Sequence, residues 1–565
     1  MRIRRRVNAR ITSLLPPWRT HSCGRRRAFT QRFCALGPRA SARVPTLQAG
    51  VRAPRRPVKL CKVILALTLT AATGAEAFAQ GRGAAAATND FYRFNYNTEE
   101  MQPIHYPAEP IVTEHRIALH GETIQYTARV GFLPIHQATS GVTEGHLFYI
   151  YYSRNGVTDK SKRPVWFLFN GGPGAATVWL HMGAFGPKMV KMTSNGLATP
   201  PPYTYVDNPN CLLDTGDLVF IDAMGTGFSR PDKPSYGPDF GGVENDLAAF
   251  GEFIRSFLNE YNLWGSPLFV GGESYGTTRA AGLAGYLTDH DIPINGVMLL
   301  SAVIDSDASA GEQRQLQTLP TEIMTAHFHK KLAPDLQKLS VEQMARQARE
   351  FASGEYLEYL FDGARSTVVQ REKVLTDFAR YTGLSKTYID GLDLRVPLGP
   401  FSTELLRDQH LMTSRLDSRF AGYQLDAGST NTSFDYSNSN IEDCFLTAFE
   451  AYVRNDLNYW NDNLYYVAGN APPWSGEYNT VVNLEDGFAK NPHMHLFVGM
   501  GYYDFACPFY PVEWTIAHLK ASDEIKKNNI SLGYYEAGHM VYIDQPSAAK
   551  YHADLVKFVQ ASLPK

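Results

Sequence analysis

Cysteine is scarce in this chain: six in 565 residues, three of them (Cys23, Cys34 and Cys61) near the N-terminus. The other three, Cys211, Cys444 and Cys507, allow at most one bridge, which excludes a disulfide framework. A body of this size can be stable without such staples. Acidic residues are missing from positions 1–75, a stretch that carries 15 Arg plus Lys59 and Lys62. There is no HExxH, no paired-cysteine metal spacing, no dinucleotide fingerprint and no internal repeat. No metal and no cofactor is therefore expected. His493 and His495 alternate on a strand pattern and read as surface residues.

Within the basic N-terminal stretch, Arg52, Arg55, Arg56, Lys59 and Lys62 precede an apolar run of ten residues, Val63–Ala72. Ala77-Phe-Ala79 follows. A basic region, a short apolar run and small residues two apart before a cut are the parts of a secretory signal. The run is too short to span a bilayer. Export with cleavage near Ala79, to the periplasm or outside the cell, is expected; a membrane anchor or an organellar transit segment is the other reading. Positions 1–79 hold 17 of the 54 basic and one of the 56 acidic residues, so the remainder has 37 basic against 55 acidic, about −18. An acidic surface argues against nucleic acid or anionic membrane as the partner. No stable membrane insertion of the mature chain is expected, and the oligomeric state stays open.

Residues 80–110 read as an extended lead-in. Strand patterns follow at Ile124–Val130, His146–Tyr152, Pro164–Phe169, Asp217–Asp222, Pro267–Val270, Val297–Leu300, His495–Val498 and Ile530–Tyr535. Several are short unbroken apolar runs ending in glycine, which suits strands buried on both faces. Leu247, Phe250, Ile254, Phe257 and Leu258 share one helical face. Thr277–Leu287 and a final stretch near Ala548–Leu563 also read as helix. This alternation predicts an α/β fold with a mostly parallel sheet covered on both faces. Between 306 and 490 the pattern changes to a capping box at Ser340–Gln343 and then loop-rich polar sequence such as Ser433–Asn440. That segment is expected to be a cap inserted between core segments 80–305 and 491–565, with 1–79 as the basic extension and signal.

Gly272-Glu-Ser-Tyr-Gly276 lies where a strand gives way to a helix. A sharp turn there lifts the Ser274 hydroxyl clear of the sheet, and the glycines let neighbouring backbone pass. Serine needs a base and an oriented carboxylate to become a nucleophile. His539, in Gly538-His-Met540, and Asp504, in Tyr503-Asp-Phe-Ala-Cys507, both follow strands, and the chain order Ser, Asp, His is that of an α/β-hydrolase. Asn170-Gly-Gly-Pro-Gly174 at another strand end can present bare N–H groups to an oxyanion. Cys507 is expected near the site as a buried thiol.

Asn170–Gly174 with Gly186-Pro187, Asp222 with Gly225-x-Gly-Phe-Ser229, Gly-Glu-Ser-Tyr, Asp504–Cys507 and Gly538–Met540 together resemble the serine carboxypeptidase family over about residues 120–560. The resemblance is to a secreted member of the bacterial type. It implies an α/β-hydrolase fold with a helical and loop cap. It also implies Ser274, Asp504 and His539 as triad, Gly172 and Tyr275 as oxyanion donors, and a peptide substrate. Asn170 and Glu273 match residues that hold the substrate's free α-carboxylate, with Gly171 and Met540 beside them. Three positions depart from the family: Ala184 stands where a Glu is usual, Leu168 replaces a Trp, and Ala175-Ala-Thr177 replaces Cys-Ser-Ser, removing a disulfide partner. Without a second acid at 184, Glu273 is expected to be ionised at neutral pH and terminal-carboxylate reading to be less strict. An esterase or acyltransferase on the same triad is the first rival function. A binding protein on a retired hydrolase scaffold is the second.

Overall fold

The computed structural model describes residues 92–101, 104–305, 311–426, 428–429, 434–474, 476 and 478–564. The expected signal within 1–79 and its cut near Ala79 lie outside the described residues.

Among those residues the largest sheet has ten strands. Ile111–Leu119, Glu122–His136 and Thr143–Arg154 run antiparallel along one side. Six parallel strands follow in space: Asp217–Ile221, Val165–Phe169, Leu268–Glu273, Gly296–Leu300, His495–Gly501 and Ile530–Tyr535. Alternation along each strand sorts the core into two layers. Trp166, Leu168, Phe269, Met298, Leu300 and Phe497 face one side, packed with Phe445 and Phe449 of helix Tyr436–Asn455 and with Tyr551, Leu555 and Phe558 of helix Gln545–Ser562. Val165, Phe167, Phe169, Val270, Leu299 and Val498 face the other, under helices Val243–Glu260 and Tyr275–Asp289. The fold is an α/β hydrolase, as expected.

Sheet order also locates the crevice. Val165–Phe169 is flanked by Asp217–Ile221 on one side and Leu268–Glu273 on the other, so successive connections leave in opposite directions. Ligand sites of open α/β sheets lie at such a reversal, outside the carboxyl ends of the strands. The strands ending at Phe169 and Glu273 meet there, and they deliver Asn170 and Ser274.

The segment 306–490 is more helical than its composition suggests. Helices Gly311–Phe328, Val341–Phe351, Val368–Thr382, Tyr436–Asn455 and Val481–Lys490 occupy much of it. The Ser340 box forms as expected: its hydroxyl accepts from Gln343 N at 3.3 Å and Gln343 Oε1 accepts from Ser340 N at 3.0 Å. The polar run before Asn440, expected as loop, instead opens a helix. Asp435 caps it by accepting from Ser437 N at 3.0 Å, and the apolar face starts only at Ile441. Small polar residues favour caps as strongly as loops, which is why the pattern misleads. Phe378, Ile389 and Phe401 of this segment share a core with Val270 and Leu299. No helix among the described residues is long and apolar enough to cross a membrane.

Candidate active site

Ser274 occupies the turn between strand Leu268–Glu273 and helix Tyr275–Asp289, with φ 58° and ψ −131°. This left-handed backbone is costly for serine, by roughly 1–3 kcal/mol, and persists only where the surroundings fix it. They do so by close approach. A Cβ on Gly272 would sit 2.0 Å from Gly276 O, and one on Gly276 would sit 2.7 Å from Phe169 O. The two glycines are therefore required by space. Beneath the turn, Asp246 accepts from Arg279 Nε at 2.9 Å, from Arg279 Nη2 at 3.0 Å and from the Tyr275 hydroxyl at 3.0 Å. Arg279 Nη1 continues to Asn170 O at 2.9 Å. This buried ion pair clamps the serine turn to the 170–174 loop. Sequence reading missed it; the only signal was one acid and one arginine on otherwise apolar helix faces.

Gly171 packs against the same turn, where a Cβ would lie 2.4 Å from Tyr275 N. Tyr275 is the first helical residue, so its N–H has no partner within the helix. Gly172 follows at φ 107° and is partly exposed. The two proposed oxyanion donors thus belong to segments in direct contact.

His539 is held on every side. Its N–H donates to Leu416 O at 2.6 Å, and its carbonyl accepts from the Ser301 hydroxyl at 2.7 Å. Its Nδ1 lies 2.8 Å from Asp504 Oδ2. The other oxygen of Asp504 accepts from Ala506 N and Cys507 N, each at 2.8 Å, so the fully buried carboxylate cannot rotate. Gly538 N donates to Asp417 at 3.1 Å, and Arg419 bridges Asp417, Asp544 and Glu536 O, locking the histidine loop to 414–420. Burial alone would lower the imidazole pKa; the charge and hydrogen bond of Asp504, with Cys507, outweigh it and hold the ring well above the ordinary histidine value. Cys507 is a buried free thiol beside this pair, and burial raises its own pKa. Cys211 and Cys444 are also free and buried.

The Nε2 of His539 lies 3.9 Å from Oε1 of Glu273, the residue preceding Ser274. Glu273 is buried, and the Tyr542 hydroxyl donates to its Oε2 at 2.6 Å. Burial pushes this carboxyl up to about 7, against the pull of His539 and Tyr542. The expectation that Glu273 is ionised at neutral pH without an acid at 184 meets an opposing effect: desolvation, not a carboxylate partner, favours its protonated form. Ala184 is buried in the turn Leu180–Phe185, whose neighbour Gly183 has the Tyr542 ring against it: a Cβ there would be 2.6 Å from the ring. Tyr542 was not anticipated, since three residues beyond a histidine an aromatic carries no particular signal.

Asn170 is buried, with Oδ1 accepting from Leu180 N at 2.9 Å and a side-chain hydrogen bond that favours the ionised form of Glu273. Met540 is buried in the apolar layer with Ala537 and Val541. Thr177, in the departed Ala-Ala-Thr stretch, donates its N–H to Asp222 Oδ1 at 2.8 Å, which ties the 170–174 loop to the strand that ends at Ile221. An imidazole oriented by a carboxylate, with its other nitrogen 3.9 Å from the residue that precedes a serine on a strained turn, supplies groups that acyl transfer needs.

Residues 121–556 match the family described as serine carboxypeptidase. Among solved structures, the chain is similar to a prohormone-processing carboxypeptidase from Saccharomyces cerevisiae, with 18% identity and a TM-score of 0.48, covering 77% of this chain and 91% of that one. A thermophilic esterase from Thermogutta terrifontis shares 12% identity with a TM-score of 0.31, covering 77% and 99%. No curated protein matches the sequence.

Proposed function

The chain belongs to the serine carboxypeptidase family, and from that premise we propose that it removes C-terminal residues from peptides through an acyl-enzyme on Ser274. One observation supports this reading: His539 Nδ1 is 2.8 Å from Asp504 while its Nε2 is 3.9 Å from Oε1 of Glu273, the residue before Ser274. In the proposed reaction His539 takes the Ser274 proton as the hydroxyl attacks the scissile carbonyl. Asp504 fixes the tautomer and stabilises the imidazolium that forms. The N–H groups of Gly172 and Tyr275 stabilise the tetrahedral oxyanion. The proton passes to the leaving amine, and water then releases the acyl group.

Asn170, Gly171 and protonated Glu273 are proposed to receive the substrate's free carboxylate, with Met540 alongside. Tyr542 acts as a positioning residue here, holding the Glu273 carboxyl in place of a second acid. The segment 306–490 is proposed as the cap that shapes the side-chain pocket, between core segments 80–305 and 491–565. The basic segment 1–79 is proposed to direct export, with cleavage near Ala79.

Ala184 favours a second reading, an esterase or acyltransferase on the same triad, because a cradle with one titrating acid reads a carboxylate less strictly. Hydrolysis of a blocked dipeptide and of its C-terminal amide separates the two. The first reading expects the free acid to be cleaved at least tenfold faster at pH 6. Equal rates, or transfer to an added acceptor in preference to water, overturn it.

A further inference from the structure

Two histidines and one aspartate converge in a place unrelated to the serine turn. His120 sits in the two-residue turn joining strands Ile111–Leu119 and Glu122–His136. Asp214 ends the short turn Leu212–Asp214 that precedes strand Asp217–Ile221. His552 lies in the last helix, Gln545–Ser562. From these elements His552 Nε2 reaches to 3.1 Å and His120 Nε2 to 3.7 Å of the same oxygen, Asp214 Oδ2. The three donor atoms all lie within 4.8 Å of one another. The two imidazole rings stand 4.9 Å apart at 29°.

Hydrogen bonding accounts for half of this arrangement. His552 is close enough to donate to Asp214, but 3.7 Å is too long for a hydrogen bond from His120. His120 stands instead at ion-pair distance from the same oxygen, with the other imidazole stacked beside it. A cation held between the three would draw the same groups together. Zinc binds His nitrogen and Asp oxygen at about 2.0–2.2 Å, so tetrahedral ligand atoms lie roughly 3.3 Å apart. The separations of 3.1 and 3.7 Å bracket that value.

His120 has φ 49° and Gly121 φ 87°, a type I′ turn, and histidine is among the residues that tolerate positive φ, as His410 does at φ 56°. The His120 side chain is 54% exposed while that of His552 is 7% exposed, which leaves an open face for water as a further ligand.

We propose that His120, Asp214 and His552 bind a divalent cation of the zinc class, clasping the first hairpin and the Asp214 turn to the last helix. Two imidazoles and a carboxylate suit zinc better than calcium or magnesium, which prefer all-oxygen sets. Asp214 and His552 are 338 residues apart, so no sequence motif announces the site.

The test uses the full chain without a histidine tag, stripped of metal and titrated with Zn2+ alone. One equivalent is expected to be retained through gel filtration, and to raise the melting temperature. Cobalt in its place is expected to give tetrahedral absorption bands in the visible. H120N, which suits the turn, is expected to weaken binding at least tenfold without lowering the metal-free melting temperature, and H552Q to do the same to binding. Failure to retain zinc overturns the proposal. So does unchanged zinc affinity in H120N and H552Q together with loss in C507S, because the ion would then sit beside His539.

Discussion

The phenol of Tyr542 donates a 2.6 Å hydrogen bond to the buried carboxyl of Glu273, the residue before the proposed nucleophile. Its ring rests on Gly183, beside the position where Ala184 replaces an acid. A hydroxyl from one loop thus stands against a lone carboxyl, in a pocket where desolvation governs protonation.

That contact gives the first expected outcome. Y542F removes a hydrogen bond that positions protonated Glu273, worth about 0.5–1.5 kcal/mol between neutral groups. kcat/KM for a free-acid peptide is expected to fall about 3–10-fold, while a simple ester substrate loses less than about twofold. Equal losses on both substrates would place Tyr542 in general support of the fold.

The protonation of Glu273 predicts a split in pH dependence. Both substrate types need neutral His539, so both rates rise as the ring loses its proton. Only the free acid also needs protonated Glu273, and that form declines as pH passes about 7. The two groups face each other across 3.9 Å, so their titrations are coupled and belong to the pair. Free-acid hydrolysis is therefore expected to be bell-shaped and to fall on the alkaline side, with ester hydrolysis reaching a plateau. In E273Q the alkaline fall disappears.

The same group links stability to pH. Its carboxyl rises from the ordinary 4.5 to about 7 on folding, so the folded chain holds the extra proton between those values. Stability from this group is complete below pH 4.5 and is lost as pH rises through 7, by about 3 kcal/mol at most. Melting temperature of the wild type minus that of E273Q should fall between pH 5 and pH 8. A difference that stays flat contradicts the assigned protonation.

The clamp under the serine turn is expected to matter for folding as well as for position. D246A leaves Arg279 buried without its partner, which costs about 3–5 kcal/mol. Urea denaturation should show a lower midpoint with an unchanged slope. Replacing the pair jointly with apolar residues should recover part of the loss.

Much of this was legible beforehand because the signals were local. Short apolar runs ending in glycine marked the parallel strands, and Gly272–Gly276 marked the turn whose glycines proved sterically obligatory. Ends of the parallel strands were legible to within three residues, as at Leu268–Glu273, whereas Glu122–His136 runs six residues beyond its expected end at Val130. The helix Tyr436–Asn455 was hidden because Ser and Asn, the residues that also make loops, fill its positions 437–440. Asp246, Arg279, Tyr542 and the His120 cluster were invisible for a different reason. Each depends on partners brought together by the fold, and single-residue patterns carry no trace of such meetings.

The most direct measurement is mass spectrometry of the enzyme after reaction with a fluorophosphonate. A single adduct is expected on the peptide carrying Ser274, absent in S274A and slowed at least a thousandfold in H539Q. An unmodified Ser274 in folded enzyme that still cleaves peptides, or an adduct elsewhere that survives S274A, would contradict the account.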